Sequence, residues 1–277
     1  ERLAAADPDA LQRVRFIRAG FLDPLKRARA GYEENQRAIN DLRFPLKPLP
    51  AAGTILIDGR PDEAAWKEAV EILLVPHHSH KMKKEAETRT VVRGLRDADT
   101  LYFAFECVEP AMAQLVSAAR PSDDREIWKD SSVELFFNPS GDRNVYYQIL
   151  VNANGSLSDL SNRKDRGFAD IDWGWTSGAR VAAVKGTSSW TMEIAVPVKS
   201  LPGLDPAKDF PANFTRNRVL SRATSDHAVL FTWSPFLRSG FHDLDNFGYL
   251  SFGAARSANV IKNGSFVGTP AGRFFDG

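Results

Sequence analysis

The stretch Trp128-Lys129-Asp130-Ser131-Ser132-Val133-Glu134-Leu135-Phe136-Phe137 decides the fold class. Val133, Leu135 and Phe137 recur at every second position, the period of a strand with a buried face, and Glu134 falls out of phase with them. An aromatic ring, Trp128, and several polar groups stand at the mouth of this apolar strand. A flat apolar face to stack on, beside acceptors for hydroxyls, suits recognition of a sugar.

The texture of this stretch continues on both sides. From Gly53 onward, short β segments are divided by turn residues. Candidate strands are 54–58, 88–95, 100–108, 132–138, 145–152, 179–184, 189–197, 213–221, 229–233 and 249–252, with turns at Asn154-Gly155, Ser140-Gly141 and Lys185-Gly186. Trp190, Met192, Ile194 and Val196 share one strand face. Helical insertions are expected at 62–69 and after Lys199. Many short strands with few helices predict a mainly β protein, an antiparallel two-sheet β-sandwich with an N-terminal helical segment.

Before Gly53 the pattern differs. Residues 8–43 read as helix, with Leu11, Val14, Ile17, Phe21, Leu25 and Ala28 at helical spacing. Asp23-Pro24 reads as a cap followed by proline at the first helical position, predicting two helices or one kinked helix. Arg13, Arg15, Arg18, Lys26, Arg27 and Arg29 line the other face, which reads as a solvated surface interleaved with acids rather than a nucleic-acid arm. Residues 44–53 are Pro-rich without periodicity and read as a stiff linker. The expected organisation is a helical tail of an upstream domain (1–44), a linker (45–53), the sandwich (54–254), and the start of a further β domain or extension (255–277). Glu1 at the start and an unfinished element, 259–266, at the end read as a piece of a larger protein.

Composition bounds the function classes. The 277 residues carry 36 Lys and Arg against 35 Asp and Glu, so global charge favours neither nucleic acid nor an anionic membrane. No apolar run approaches the roughly 18 residues of a membrane span. The single cysteine, Cys107, sits in an apolar strand and reads as core, which excludes an intrachain disulfide. No P-loop or Rossmann glycine pattern occurs.

Five segments in order resemble the family 9 carbohydrate-binding modules: Ile57-Asp-Gly-Arg-Pro-Asp-Glu-Ala-Ala-Trp66, Asp97 to Tyr102, Trp128 to Phe137, Gly186 with Trp190 to Pro197 including Glu193, and Phe247-Gly-Tyr-Leu250. In one departure, the Asp usual directly before Ser-Val-Glu is Ser131 here, with Asp130 one place earlier. Arg13 to Phe21 resembles the helical tail of the glycoside-hydrolase-like domain-of-unknown-function family 4838. Residues 259–266 resemble the first strand of another sugar-binding jelly roll.

What the resemblance implies is specific. A carbohydrate ligand is held by two aromatics, matched here by Trp128 and by Phe241, where Trp is usual. Glu134 reads hydroxyls, and Gln148 stands where the best-known family pattern has an Arg. Asn217, Arg238 and Asp243 are further candidates. Trp66 and Trp190 read as core, and the Trp173-x-Trp175 pair as one-sided packing. The resemblance implies a secreted or periplasmic, non-catalytic module working beside an upstream catalytic-type domain, with no organic cofactor, no nucleic acid and no membrane as partner. It also implies a structural Ca²⁺, for which Asp58, Asp62, Asp123, Asp124 and Asp130 offer oxygens in no regular loop spacing. The run His77-His78-Ser79-His80 reads as polar surface rather than a metal site. A catalytic carboxylate pair, Asp124 with Glu134, is an enzymatic alternative. A ligand-free spacer is another. A haem sandwich, drawing on Met82, Met112, Met192, His227 and His242, is the last.

Overall fold

In the computed structural model, the description covers residues 8–51, 53–77, 88–165, 171–221 and 228–252. The chain forms two compact units, residues 1–41 and 42–277. The first contains α1 (Pro8–Ile17), a π-helical turn (Arg18–Leu22) and α2 (Asp23–Asp41). α2 begins at Asp23, with Pro24 in its first turn, where the missing amide hydrogen costs nothing. Two arginines on these helices meet acids, Arg18 with Asp23 at 3.6 Å and Arg29 with Glu33 at 2.8 Å.

The second unit is the sandwich. Its strands are β1 (Arg43–Pro45), β2 (Lys47–Pro48), β3 (Val70–Leu73), β4 (Val75–Pro76), β5 (Thr90–Arg96), β6 (Thr100–Val108), β7 (Ser132–Phe137), β8 (Val145–Asn152), β9 (Leu157–Arg163), β10 (Arg180–Lys185), β11 (Ser189–Pro197), β12 (Phe210–Val219), β13 (Ala228–Thr232) and β14 (Gly248–Ser251). The first sheet runs β1-β14-β12-β7-β8-β9, with β13 on the later half of β12 and β4 beside β13. The second runs β10-β11-β6-β5-β2, with β3 also on β5. Pairing is antiparallel except for β1 with β14 and β2 with β5.

Alternation along the strands builds the core. Leu101, Phe103, Phe105 and Cys107 of β6, Trp190, Met192, Ile194 and Val196 of β11, and Val133, Leu135 and Phe137 of β7 are all fully buried between the sheets. Phe103 and Phe214 lie 5.1 Å apart by ring centroid at the centre.

Three expectations are corrected. Residues 44–50 are not a linker: Phe44 and Leu46 are buried in the core, and the chain zips onto β14 and β5. The cause lies far away in sequence. Gly94 of β5 has no side chain, and a Cβ there would stand 2.3 Å from Leu46 and 2.9 Å from Phe44. Residues 54–58 form no strand, because their amides turn to side chains: Leu56 N–H donates to Glu63 and Asp58 N–H to Glu193. Leu157–Arg163, read as no element, is β9.

Glu193 explains why the Ile-Asp-Gly and Trp segments travel together. Its buried carboxylate accepts from the backbones of Asp58 and Gly59 and from Trp66 Nε1, at 3.1, 2.9 and 3.0 Å. Gly59 meets this requirement at φ +87°, with Ala183 backbone 2.9 Å from where a Cβ would be. Glu193→Ala orphans all three donors, and a loss of about 2 kcal/mol is expected in urea unfolding followed by tryptophan fluorescence. An unchanged midpoint would contradict this role.

Candidate functional site

The face of the first sheet away from the core is polar at its centre and capped by apolar groups at both ends. Along β7 it presents Ser132, Glu134 and Phe136; along β8, Tyr146, Gln148, Leu150 and Asn152; along β12, Asn213, Thr215 and Asn217. At one end Ile127, Leu150 and Leu160 pack together, with Trp173 partly buried against them. At the other, Phe136 and Tyr146 pack with Leu237, Phe241, Leu244 and Phe247 of the loop before β14.

Between these clusters lie three of the sequence-predicted residues. Gln148 Nε2 donates to Glu134 Oε2 at 2.7 Å, and Asn217 Nδ2 donates to Glu134 Oε1 at 2.8 Å. Three adjacent strands thus bring a carboxylate and two amides into one row. Asn217, inside the strand expected over 213–221, is on β12 and joins because it pairs with Ser132 of β7. Burial pushes the Glu134 carboxyl up to about 7, against the pull of the two amides. Thr215, opposite Glu134 in register, has a buried hydroxyl with no partner among the described residues.

Trp128 stands at the head of β7, on a 3-10 turn (Ile127–Lys129). Ile127 pins the turn inward and Trp128 is 56% exposed. The Lys129 ammonium lies 5.7 Å from its ring centre. Arg120 holds this loop closed: its Nε and Nη2 grip Asp130 at 2.7 and 2.9 Å, and Nη1 reaches Asp124 at 3.0 Å. Asn152 Nδ2 also donates to Asp130. The displaced family Asp is therefore the latch beneath the Trp128 turn. Ser131, in the Asp's usual slot, instead joins β12 by donating to Val219 O.

Phe241 differs from its expected role as an open partner ring. It is 8% exposed, edge-on to Phe136 at 6.3 Å and to His77 at 5.8 Å. The loop lies down on β7 and β8 because Phe136 and Tyr146 offer it an apolar landing, and its ring is used up in that contact. Asp243 likewise holds the loop, accepting from Arg238 N and Asn246 Nδ2. Trp173 and Trp175 part company: neither lies on a strand, Trp173 packs on the outer face and Trp175 lies tilted over Tyr147 at 4.7 Å, against the main core between the sheets.

The five aspartates considered for calcium do not gather. Asp124 and Asp130 are engaged by Arg120, and among the described residues no group of three or more ligating side chains forms. These residues do not fit a Ca²⁺ site built from aspartates. The Glu126 amide and Arg120 hold the Asp124 carboxyl below its ordinary value, the wrong direction for a general acid paired with Glu134. Met192 lies in the core and Met112 packs against it. His78, His80, Met82, His227 and residues 255–277 lie outside the described residues.

A buried ion cluster had no reading in the sequence. Glu109 takes two bonds from Arg218, at 2.6 and 2.8 Å, and one from Arg216 at 3.1 Å, all in the interior at one end of the sandwich. Its only sequence signal is an arginine at a position of β12 that otherwise points inward.

The family model described as carbohydrate family 9 binding domain-like matches residues 57–253. The chain belongs to this family. Comparison with curated protein sequences gives no match. Among solved structures, the family 9 fold recurs in a Bacteroides uniformis protein described as a candidate carbohydrate-binding protein, at 17% identity and TM-score 0.58, over 76% of this chain and 99% of that one. It recurs in a family 9 carbohydrate-binding module from Caldicellulosiruptor kristjanssonii in complex with cellotriose, at 16% identity and TM-score 0.55, over 79% and 98%. The glucose complex from the same organism matches at 16% identity and TM-score 0.52, over 78% and 97%.

Proposed function

We propose that the sandwich is a non-catalytic carbohydrate-binding module. A sugar ring lies against Trp128, and its hydroxyls meet Glu134, Gln148 and Asn217. The observation that carries this reading is the row of one carboxylate and two amides on the outer face of the sheet whose β7 starts just after the exposed Trp128. The row carries acceptors and donors side by side, as vicinal hydroxyls require; its three side chains are buried and bonded to one another, so a sugar hydroxyl engages them by exchanging for one of those bonds. Family membership supports it, as do neighbours of the same fold solved with glucose and cellotriose. A neutral hexose unit is accordingly the proposed ligand. In a secreted protein with a catalytic domain upstream, binding would raise the local concentration of substrate.

Isothermal titration with glucose, cellobiose, cellotriose and other oligosaccharides tests the reading. At least one should bind, and Trp128→Ala should weaken it about tenfold or more, by removal of the stacking face. Heat that is unchanged in the variant would rule out the stacking role. A second reading, a spacer without ligand, is favoured by the burial of Phe241, which leaves no open second ring at that position. It predicts no heat with any sugar.

A further inference from the structure

Beside the Glu134 row, a pocket of about 260 Å³ opens on the same outer face. Tyr146, Asn162, Arg163 and Lys164 form one side, and Ser239 and His242 of the loop form the other. Tyr146 lies two residues before Gln148 on β8 and pairs with Asn162 of β9, so the pocket sits roughly 7 Å along the strand from Gln148. A sugar held over Gln148 would thus place its neighbour here. The volume suits one small ring rather than a large ligand.

The chemistry of the lining differs from that of the Glu134 row. It holds two cations, Arg163 and Lys164, and no carboxylate. The acids that pair with them, Asp165 at 3.4 Å from Arg163 and Asp245 on Lys164, are more than half exposed and outside the lining. Exposed pairs of this kind are weak and exchange readily for a better-placed anion. The other titratable walls add no charge. His242 accepts or donates at Nδ1 to the Tyr146 hydroxyl at 2.7 Å, and burial pushes its ring down to about 4, so it is neutral near pH 7.

We propose that this pocket is a second sugar subsite that takes a uronic acid unit, its carboxylate on Arg163 and Lys164. The guanidinium offers a planar fork and the ammonium a point charge, a pairing suited to a carboxylate. The proposal rests on the carbohydrate reading above and narrows its ligand to chains that carry an acidic sugar.

The test is titration of the wild-type chain with glucose, glucuronic acid and acetate at low and high salt. Glucuronic acid should bind about tenfold more tightly than glucose, with the preference shrinking at high salt. Arg163→Gln and Lys164→Gln should each erode that preference and leave glucose binding unchanged. Both side chains are half exposed, and near-ultraviolet dichroism checks that each variant is folded. Equal affinity for glucose and glucuronic acid would overturn the subsite and leave the neutral-sugar site standing. Acetate competing as well as glucuronic acid would reduce the pocket to a simple anion site and overturn the proposal. No heat with either sugar would overturn both readings together.

Discussion

Glu109→Ala should cost about 3–5 kcal/mol, enough to leave the sandwich unfolded or close to it. Glu109 is fully buried and answers two guanidinium groups, Arg216 at 3.1 Å and Arg218 at 2.6 and 2.8 Å. Arg216 is itself fully buried, between the rings of Trp190 and Phe231, each 5.7 Å from its guanidinium. Burial lowers the Arg216 pKa, and the nearby Glu109 charge works against that loss. Without the carboxylate, two charges remain in a region with little water to solvate them. Urea unfolding measures the loss. A triple replacement of Glu109, Arg216 and Arg218 by apolar residues of similar volume should recover most of it, because the penalty comes from uncompensated charge rather than from the pair's own attraction. A loss below about 1 kcal/mol in Glu109→Ala would contradict the buried-charge account.

The second large effect concerns pH. The Glu134 carboxyl is raised from 4.5 to about 7 by burial. The folded state therefore binds a proton more tightly than the unfolded state between those values. Stability from this group is fully present below about pH 4.5, falls as pH rises to about 7, and is level above. The span corresponds to about 3 kcal/mol. Glu134→Gln, which keeps the shape and removes the charge, should be flatter across this window and more stable than the wild type at pH 8. The same variant should bind the proposed sugar more weakly, since a strong acceptor becomes a neutral amide. Wild-type affinity should also fall as pH drops below about 7 and Glu134 takes up its proton. A Glu134→Gln variant less stable than the wild type at pH 8 would show that the carboxylate is better solvated than its burial implies. Opposite signs for stability and affinity would mark a residue kept for its ligand rather than for the fold.

Much of the sandwich was legible because its signals are local in period and redundant. The alternation in β6, β7 and β11 gives the core face directly, and the Ile-Asp-Gly, Trp66 and Glu193 segments are one hydrogen-bonded unit. The Pro-rich segment was misread because nothing near it announces burial. Its place in the core depends on Gly94, some fifty residues on, leaving room for Phe44 and Leu46. In the candidate site, Glu134, Gln148 and Asn217 were each named, but their union required the register of β12 against β7 and β7 against β8. Phe241 shows the reverse failure. A ring after Gly240 reads alike whether it stands open or lies down, and Phe136, a hundred residues earlier, decides between the two.

The most direct measurement is a crystal structure of the chain soaked with glucose or cellotriose. The account predicts a sugar ring flat against Trp128, with hydroxyl oxygens in hydrogen-bond reach of Glu134 and Gln148. A sugar ordered elsewhere on the sandwich, with Trp128 bare and the Glu134 row unchanged, would contradict it.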